Sequence, residues 1–174
     1  FQIFEATGSG GTITFNNAMR VYQKEIEDGG SESFFFKGIE ASNLPVLKIG
    51  FDYLDAQNVE LHRQVGVSFK LGNSYERDFG FDSEAIDIGF SDIYFKFEGN
   101  RENFIIAGIQ EISDNLEFPL TVKIGSTGNF KFNIDTKENI NRKVYMTDKV
   151  TGLKYDLSNQ IEIAITAGTY EDRF

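Results

Sequence analysis

Alternation of apolar and polar residues dominates the chain. From Leu47 to Tyr53 the odd positions are Leu47, Ile49, Phe51 and Tyr53, with Lys48, Gly50 and Asp52 between them. A period of two puts one set of side chains on a buried face and the other in water, which predicts a strand. After a polar turn over Asp55 to Asn58, the odd positions Val59, Leu61, Val65, Val67, Phe69 and Leu71 alternate with Glu60, His62, Gln64, Gly66, Ser68 and Lys70. Arg63 is the one charge on the apolar phase, and Gly66 predicts a bend or bulge. The same alternation recurs in Ile93, Phe95 and Phe97, in Leu120, Val122 and Ile124, in Phe130, Phe132 and Ile134, and in Ile161, Ile163 and Ile165. Gly99-Asn100, Gly125 to Asn129 and Thr151-Gly152 punctuate these runs as turns. Helical periodicity is nowhere sustained; Ser83 to Ile88 is the best candidate, for a turn or two.

Many short strands between turn signals predict an all-β fold, an antiparallel β-sandwich of immunoglobulin-like or jelly-roll-like type. The front of the chain reads differently. Gln2 to Ala6 and Thr12 to Phe15 pair in expectation across the Gly-rich Thr7 to Gly11 as an N-terminal hairpin. The acidic, Gly/Ser-rich Lys24 to Ser33 reads as a linker. Residues 1–33 are therefore expected to be a hairpin and linker, or the tail of a preceding domain, and the main sandwich is expected over 34–174.

Composition adds limits. With 174 residues the chain suits one sizeable core. The 18 Phe against 2 Met and no Trp favour a β-rich interior filled by phenylalanine. The absence of cysteine excludes disulfides, Cys-ligated zinc and thiol nucleophiles. A net charge of −10 opposes phosphate backbones, so no nucleic-acid partner is expected. No stretch approaches the ~20 apolar residues of a membrane helix.

The last thirty-two residues carry the most specific signal. Lys143 to Phe174 reads KVYMTDKVTGLKYDLSNQIEIAITAGTYEDRF, a hairpin of pattern VYxxDKxTGxxxDL, a strand, and then AGTYEDRF. This resembles the β-sandwich region just upstream of the sorting signal in large proteins that Bacteroidota export by the type IX secretion system. Thr12 to Val21 (TITFNNAMRV) is similar to that family's xxTFNNxMRV, and Tyr75 to Asp82 (YERDFGFD) to its YDxxFDxxF loop. Two departures stand out: the family's approach to TFNN is longer, and it continues beyond DRF into the sorting signal. The resemblance implies a non-catalytic spacer or adhesion module of a larger secreted or outer-membrane surface protein. Its implied partners are the type IX secretion machinery, reached through a sorting domain outside this chain, and the neighbouring domains of the parent protein.

Candidate chemistry is sparse. The Gly8 to Gly11 loop lacks the Lys-Ser/Thr and helix of a phosphate cradle. His62 is the only histidine, lies on the polar face of its strand, and has no nucleophile motif beside it. Asp78, Asp82, Glu84, Asp87 and Asp92 fall in a stretch punctuated by Gly80 and Gly89, where hard oxygen ligands on a loop suit Ca²⁺, although the EF-hand register is missing. Phe79, Phe81, Ile86, Ile88 and Phe90 are expected to pin this stretch to the core. Calcium is the one candidate cofactor. Tyr94 and Tyr145 lie on the polar phase of their strands and are the candidates for stacking against a polysaccharide, the first alternative function; a divergent hydrolase domain is the second. Lys48, Lys70, Lys96, Lys123 and Lys131 sit on outward phases, as expected of charges that discourage pairing at sheet edges.

Overall fold

A computed structural model describes residues 43–55, 57–99, 102–113 and 115–174. The expected N-terminal hairpin and linker over 1–33, the expected start of the sandwich at residue 34 and Asn100 of the Gly99-Asn100 turn lie outside the described residues. Among the described residues, strand alternation becomes eleven strands: β1 (Val46–Leu54), β2 (Glu60–Phe69), β3 (Ser83–Glu84), β4 (Asp92–Tyr94), β5 (Phe104–Ile109), β6 (Thr121–Ile124), β7 (Gly128–Glu138), β8 (Tyr145–Asp148), β9 (Leu153–Asp156), β10 (Ile161–Ile165) and β11 (Gly168–Tyr170). Among the described residues there is no helix, and Ser83–Glu84 is strand where a helical turn was the nearest alternative.

These strands form a six-stranded sheet in the order β10-β7-β1-β2-β5-β3, a three-stranded sheet β11-β6-β4 and the β8-β9 hairpin. All pairings are antiparallel except β2 with β5, where Gly66 to Phe69 run parallel to Ile106 to Ile109. Parallel neighbours need a long crossover. Residues 70–103, which include β3 and β4, supply it.

The β1–β2 hairpin sets the frame. Its turn is closed by Asp55, whose Oδ1 accepts the amides of Gln57 and Val59 at 2.8 Å each, while Asn58 takes the left-handed conformation (φ 59°) that asparagine tolerates. Register then places Leu47 opposite Val67 and Ile49 opposite Val65, all buried. The ladder runs unbroken through Gly66, so the expected bulge is not there. It lies in β7 instead: Lys48 pairs with Thr136 and Ile49 with Ile134, leaving Asp135 as the extra residue.

One core joins the two larger sheets. Leu47, Phe51, Val65, Val67, Phe130 and Phe132 of the six-stranded sheet pack with Ile93, Phe95, Leu120, Val122 and Ile124 of the opposing layer. The expected phenylalanine interior is present: Phe51 lies 5.6 Å from Phe130 and 5.1 Å from Phe132, and Phe95 meets Phe118 edge-on at 5.8 Å. Each such ring contributes about 1.5–3 kcal/mol by leaving water.

Two expectations about surfaces are corrected. Phe79, Ile86 and Phe90 are exposed and Phe81 and Ile88 only half-buried, so the acidic stretch is not pinned by its apolar residues. Polar groups hold it: Asp82 Oδ1 accepts the Gly108 amide at 2.6 Å and Lys123 donates to the Gly89 carbonyl at 2.8 Å. Lys48, Lys123 and Lys131 are not edge guards, because β1, β6 and β7, which carry them, are interior strands. Lys131 pairs with Glu60 at 3.5 Å, and Lys96, just beyond β4, with Glu171 at 2.6 Å.

Candidate functional site

Two segments of the C-terminal signature meet in space. β8 ends at Asp148, the middle residue of TDK, whose side chain is fully buried, and the DRF segment after β11 places Arg173 against it. Arg173 donates from Nε to Asp148 Oδ1 at 3.0 Å and from Nη2 to Oδ2 at 2.8 Å, a two-pronged bridge whose geometry lysine does not reproduce. Asp148 also turns the hairpin, since Oδ1 accepts the amide of Val150 at 3.0 Å and its carbonyl accepts that of Gly152, which sits at φ 71°. The Arg173 guanidinium, with the Thr151 side chain and the Val150 amide adding to it against the effect of burial, holds the Asp148 carboxyl at about 2, well below its ordinary 3.8.

Neighbouring residues complete the clasp. The guanidinium lies 5.1 Å from the centre of the Tyr170 ring and 4.9 Å from that of Phe174, within cation–π range. The Tyr170 hydroxyl donates to the Thr166 carbonyl at 3.0 Å. Backbone bonds run from Lys149 N to Arg173 O at 2.8 Å and from Leu120 N to Phe174 O at 3.0 Å, and the buried Phe174 packs on Phe132. TDK, GTY and DRF are therefore parts of one structural lock between the β8–β9 hairpin and the end of the sandwich.

Arg63, the exception on the apolar phase, has an equivalent explanation. It reaches from β2 to buried Asp92 of β4, with Nε 2.9 Å from Oδ1 and Nη2 2.7 Å from Oδ2. It ties the six-stranded sheet to the three-stranded one.

That bridge also decides the acidic stretch. Asp92 is committed to Arg63 and to the amides of Gly89 and Ile93, Asp82 to those of Gly108 and Asp78, and Asp78 to that of Ser74. Glu84 and Asp87 are exposed. Among the described residues no three acidic or histidine side chains converge on a common ion position. The five carboxylates are not brought together, because oxygens already taken by amides and a guanidinium are oriented away from a shared centre.

The two candidate tyrosines do not form a platform. Tyr94 is buried, at 6% exposure, and its hydroxyl is pushed up in pKa by that burial and by Glu171. All three residues of β4 are buried, so the polar phase there does not face water. Tyr145 is exposed on the separate β8–β9 hairpin, where its ring is capped by the Lys154 ammonium at 4.6 Å.

A polar constellation unforeseen in the alternation lies on the outer face of the large sheet. His62 of β2 stands directly opposite Asp52 of β1, and its Nδ1 is 2.5 Å from Asp52 Oδ1. Its Nε2 is 3.0 Å from Oδ2 of Asp135, the bulged residue of β7. Gly50 makes the approach feasible: a Cβ there would lie 2.5 Å from Asp135 Oδ1 and 2.7 Å from His62 Cε1. Gln64 donates to Asp135 Oδ2, Asn133 to Asp135 Oδ1 and Gln160 to Asp52 Oδ2. The Asp52 hydrogen bond raises the His62 pKa above its ordinary value; burial opposes it, and the charge and hydrogen bond of Asp135 add to the rise. A general base needs a ring nitrogen free to take the nucleophile's proton. Both nitrogens of His62 face carboxylates, so this arrangement suits holding a proton between acids rather than passing it on.

Fold and clasp define an all-β sandwich module fastened by arginine bridges to buried aspartates. The chain belongs, over residues 1–174, to the family described as a domain of unknown function, DUF8693. No curated protein and no solved structure matches it.

Proposed function

We propose that the chain is a non-catalytic β-sandwich module of a larger secreted or surface-exposed protein, a spacer or adhesion scaffold carried outward by type IX secretion. The observation that carries this reading is the Asp148–Arg173 clasp. The residues behind the resemblance to exported proteins, TDK and DRF, are spent on internal bonding, with Asp148 fully buried and both prongs of Arg173 engaged. A signature that serves to lock a fold is what a carrier module needs: a unit that stays folded while other domains act. Its partners on this reading are the secretion machinery, through a sorting domain elsewhere in the protein, and the domains joined to it.

Physical features support the mechanical side. Two-pronged arginine bridges to buried carboxylates at two places, the half-buried Arg63 to Asp92 between sheets and Arg173 to Asp148 at the hairpin, fix the layers by direction as well as by apolar contact. The test is fractionation of cells that make the natural protein, with intact-mass measurement of the species carrying this sequence. The proposal expects a polypeptide much larger than 19.7 kDa in the envelope or medium. A free 174-residue species confined to the cytosol overturns it.

A further inference from the structure

The His62 constellation is made of groups whose hydrogen-bonding capacities match only when one more proton is present than neutral imidazole carries. Neutral histidine has a single N–H; its other nitrogen is a lone pair. Here both ring nitrogens stand at hydrogen-bond distance from carboxylate oxygens, Asp52 Oδ1 at 2.5 Å and Asp135 Oδ2 at 3.0 Å. With neutral imidazole one of these contacts sets a lone pair against an anionic oxygen. Imidazolium donates to both.

Among the described residues, every other donor hydrogen-bonded to these two carboxylates is a neutral amide: Gln160 on Asp52, Gln64 and Asn133 on Asp135. The remaining charged groups on the same face are arranged in their own pairs or lie further off. On β7, Lys131 stands opposite Asp52 on one side and Glu162 of β10 on the other, and its ammonium bonds Glu60 of β2; on β1, Lys48 lies beyond Gly50. On β5 the residue turned to this face is apolar Ile106, opposite Gly66. The imidazolium is thus the cation that the two acids share, and each of the three groups belongs to a different strand: Asp52 to β1, His62 to β2, Asp135 to β7.

The backbone is shaped around this contact. A bulge throws Asp135 out of the regular ladder toward His62, and the residue between, Gly50, has no side chain to stand in the way. Bulges re-aim side chains, and a glycine inside a strand costs stability unless something approaches it closely. Both departures occur at the same spot and serve the same contact.

We propose that His62, Asp52 and Asp135 form a proton-operated tie across β1, β2 and β7, closed when the imidazole is protonated and opened when it is not. Loss of the proton leaves an imidazole that donates to only one of the two carboxylates and turns a lone pair toward the other, which loosens the sheet at the β7 bulge. A histidine whose folded-state pKa is raised contributes stability that is fully present below its unfolded value of about 6.5 and is lost as pH rises through the folded value. The domain is accordingly tighter in mildly acidic surroundings than in alkaline ones.

The chain's single histidine makes the test direct. NMR titration of the His62 ring in the 174-residue chain is compared with Asp135→Asn, alongside urea unfolding from pH 5 to 9 for both and for His62→Gln. The tie predicts a wild-type titration midpoint above that of an unstructured histidine peptide, lowered in Asp135→Asn. It also predicts a fall in stability with rising pH that flattens in His62→Gln. A His62 midpoint at or below the peptide's, or one unmoved by Asp135→Asn, overturns the proposal; if His62→Gln does not fold, the Asp135→Asn comparison alone decides it.

Discussion

Replacing Asp148 by Asn tests the clasp where its energetics are clearest. The substitution keeps shape and the acceptor for the Val150 amide but removes the anion from Arg173, whose side chain is only 11% exposed. Two estimates bracket the cost. The fall of the Asp148 carboxyl from 3.8 to about 2 corresponds to about 2 kcal/mol in favour of the ionised, paired state. Breaking a buried pair by removing one partner costs about 3–5 kcal/mol, because the other charge is left without compensation. A loss of about 2–4 kcal/mol follows, which at the usual unfolding entropy per residue lowers the Tm of this chain by roughly 5–11 °C. Urea unfolding of wild type, Asp148→Asn, Arg173→Met and the double variant gives the coupling, expected at about 2 kcal/mol or more. Acid adds a second reading. A depressed carboxyl contributes stability that is present above its unfolded pKa and is lost as pH falls through the folded one, here from about 4 toward about 2. Asp156, held near 2 by Ser158 and Lys143, titrates in the same range, so the difference between wild type and Asp148→Asn isolates the clasp. A loss below about 0.5 kcal/mol with no coupling, the behaviour of an exposed pair, refutes the reasoning.

Two further outcomes follow from the geometry. Gly50→Ala places a methyl within 2.5 Å of Asp135 Oδ1 and is expected to cost about 1–3 kcal/mol in urea unfolding, whereas Gly66→Ala, whose added carbon meets nothing nearer than 3.9 Å, is expected to cost less; equal costs contradict the packing argument. Millimolar Ca²⁺ or EDTA is expected to leave the Tm unchanged, since Asp78, Asp82 and Asp92 are committed to amides and Arg63 and the exposed Glu84 and Asp87 do not converge with them; a site filled at a hundred times its Kd instead adds about 2.7 kcal/mol, which a thermal melt detects at once.

The strands were readable from the alternation because period two follows from the backbone itself: Leu47 to Tyr53 buries the phase its pattern marks, as do Phe130 and Phe132 of β7 and Ile163 and Ile165 of β10, with Ile134 and Ile161 half-buried at the ends of their runs. What alternation lacks is pairing. Nothing in the residues of β2 and β5 distinguishes a parallel neighbour from an antiparallel one, and the division into six-, three- and two-stranded sheets depends on long-range contacts. Tyr94 misleads for a related reason: β4 has three residues and all are covered, so its polar phase has no wet face. Arg63 was the legible clue to the interior, since a charge on an apolar phase demands a buried partner, and Asp92 is that partner. The His62 constellation needed three strands in register plus a bulge at Asp135; its one signal in the sequence was Gly50, a glycine in mid-strand that the alternation alone leaves without a purpose. The clasp was visible as motif words, TDK and DRF, but their meeting was not.

The most direct test of the proposed role as an exported module is antibody labelling of this domain on intact cells that make the natural protein, with the type IX secretion machinery active and then inactivated. Labelling that is strong in the first case and lost in the second, with the protein retained inside, is the predicted result. Protein found only inside the cell in both, or surface labelling indifferent to the machinery, contradicts it.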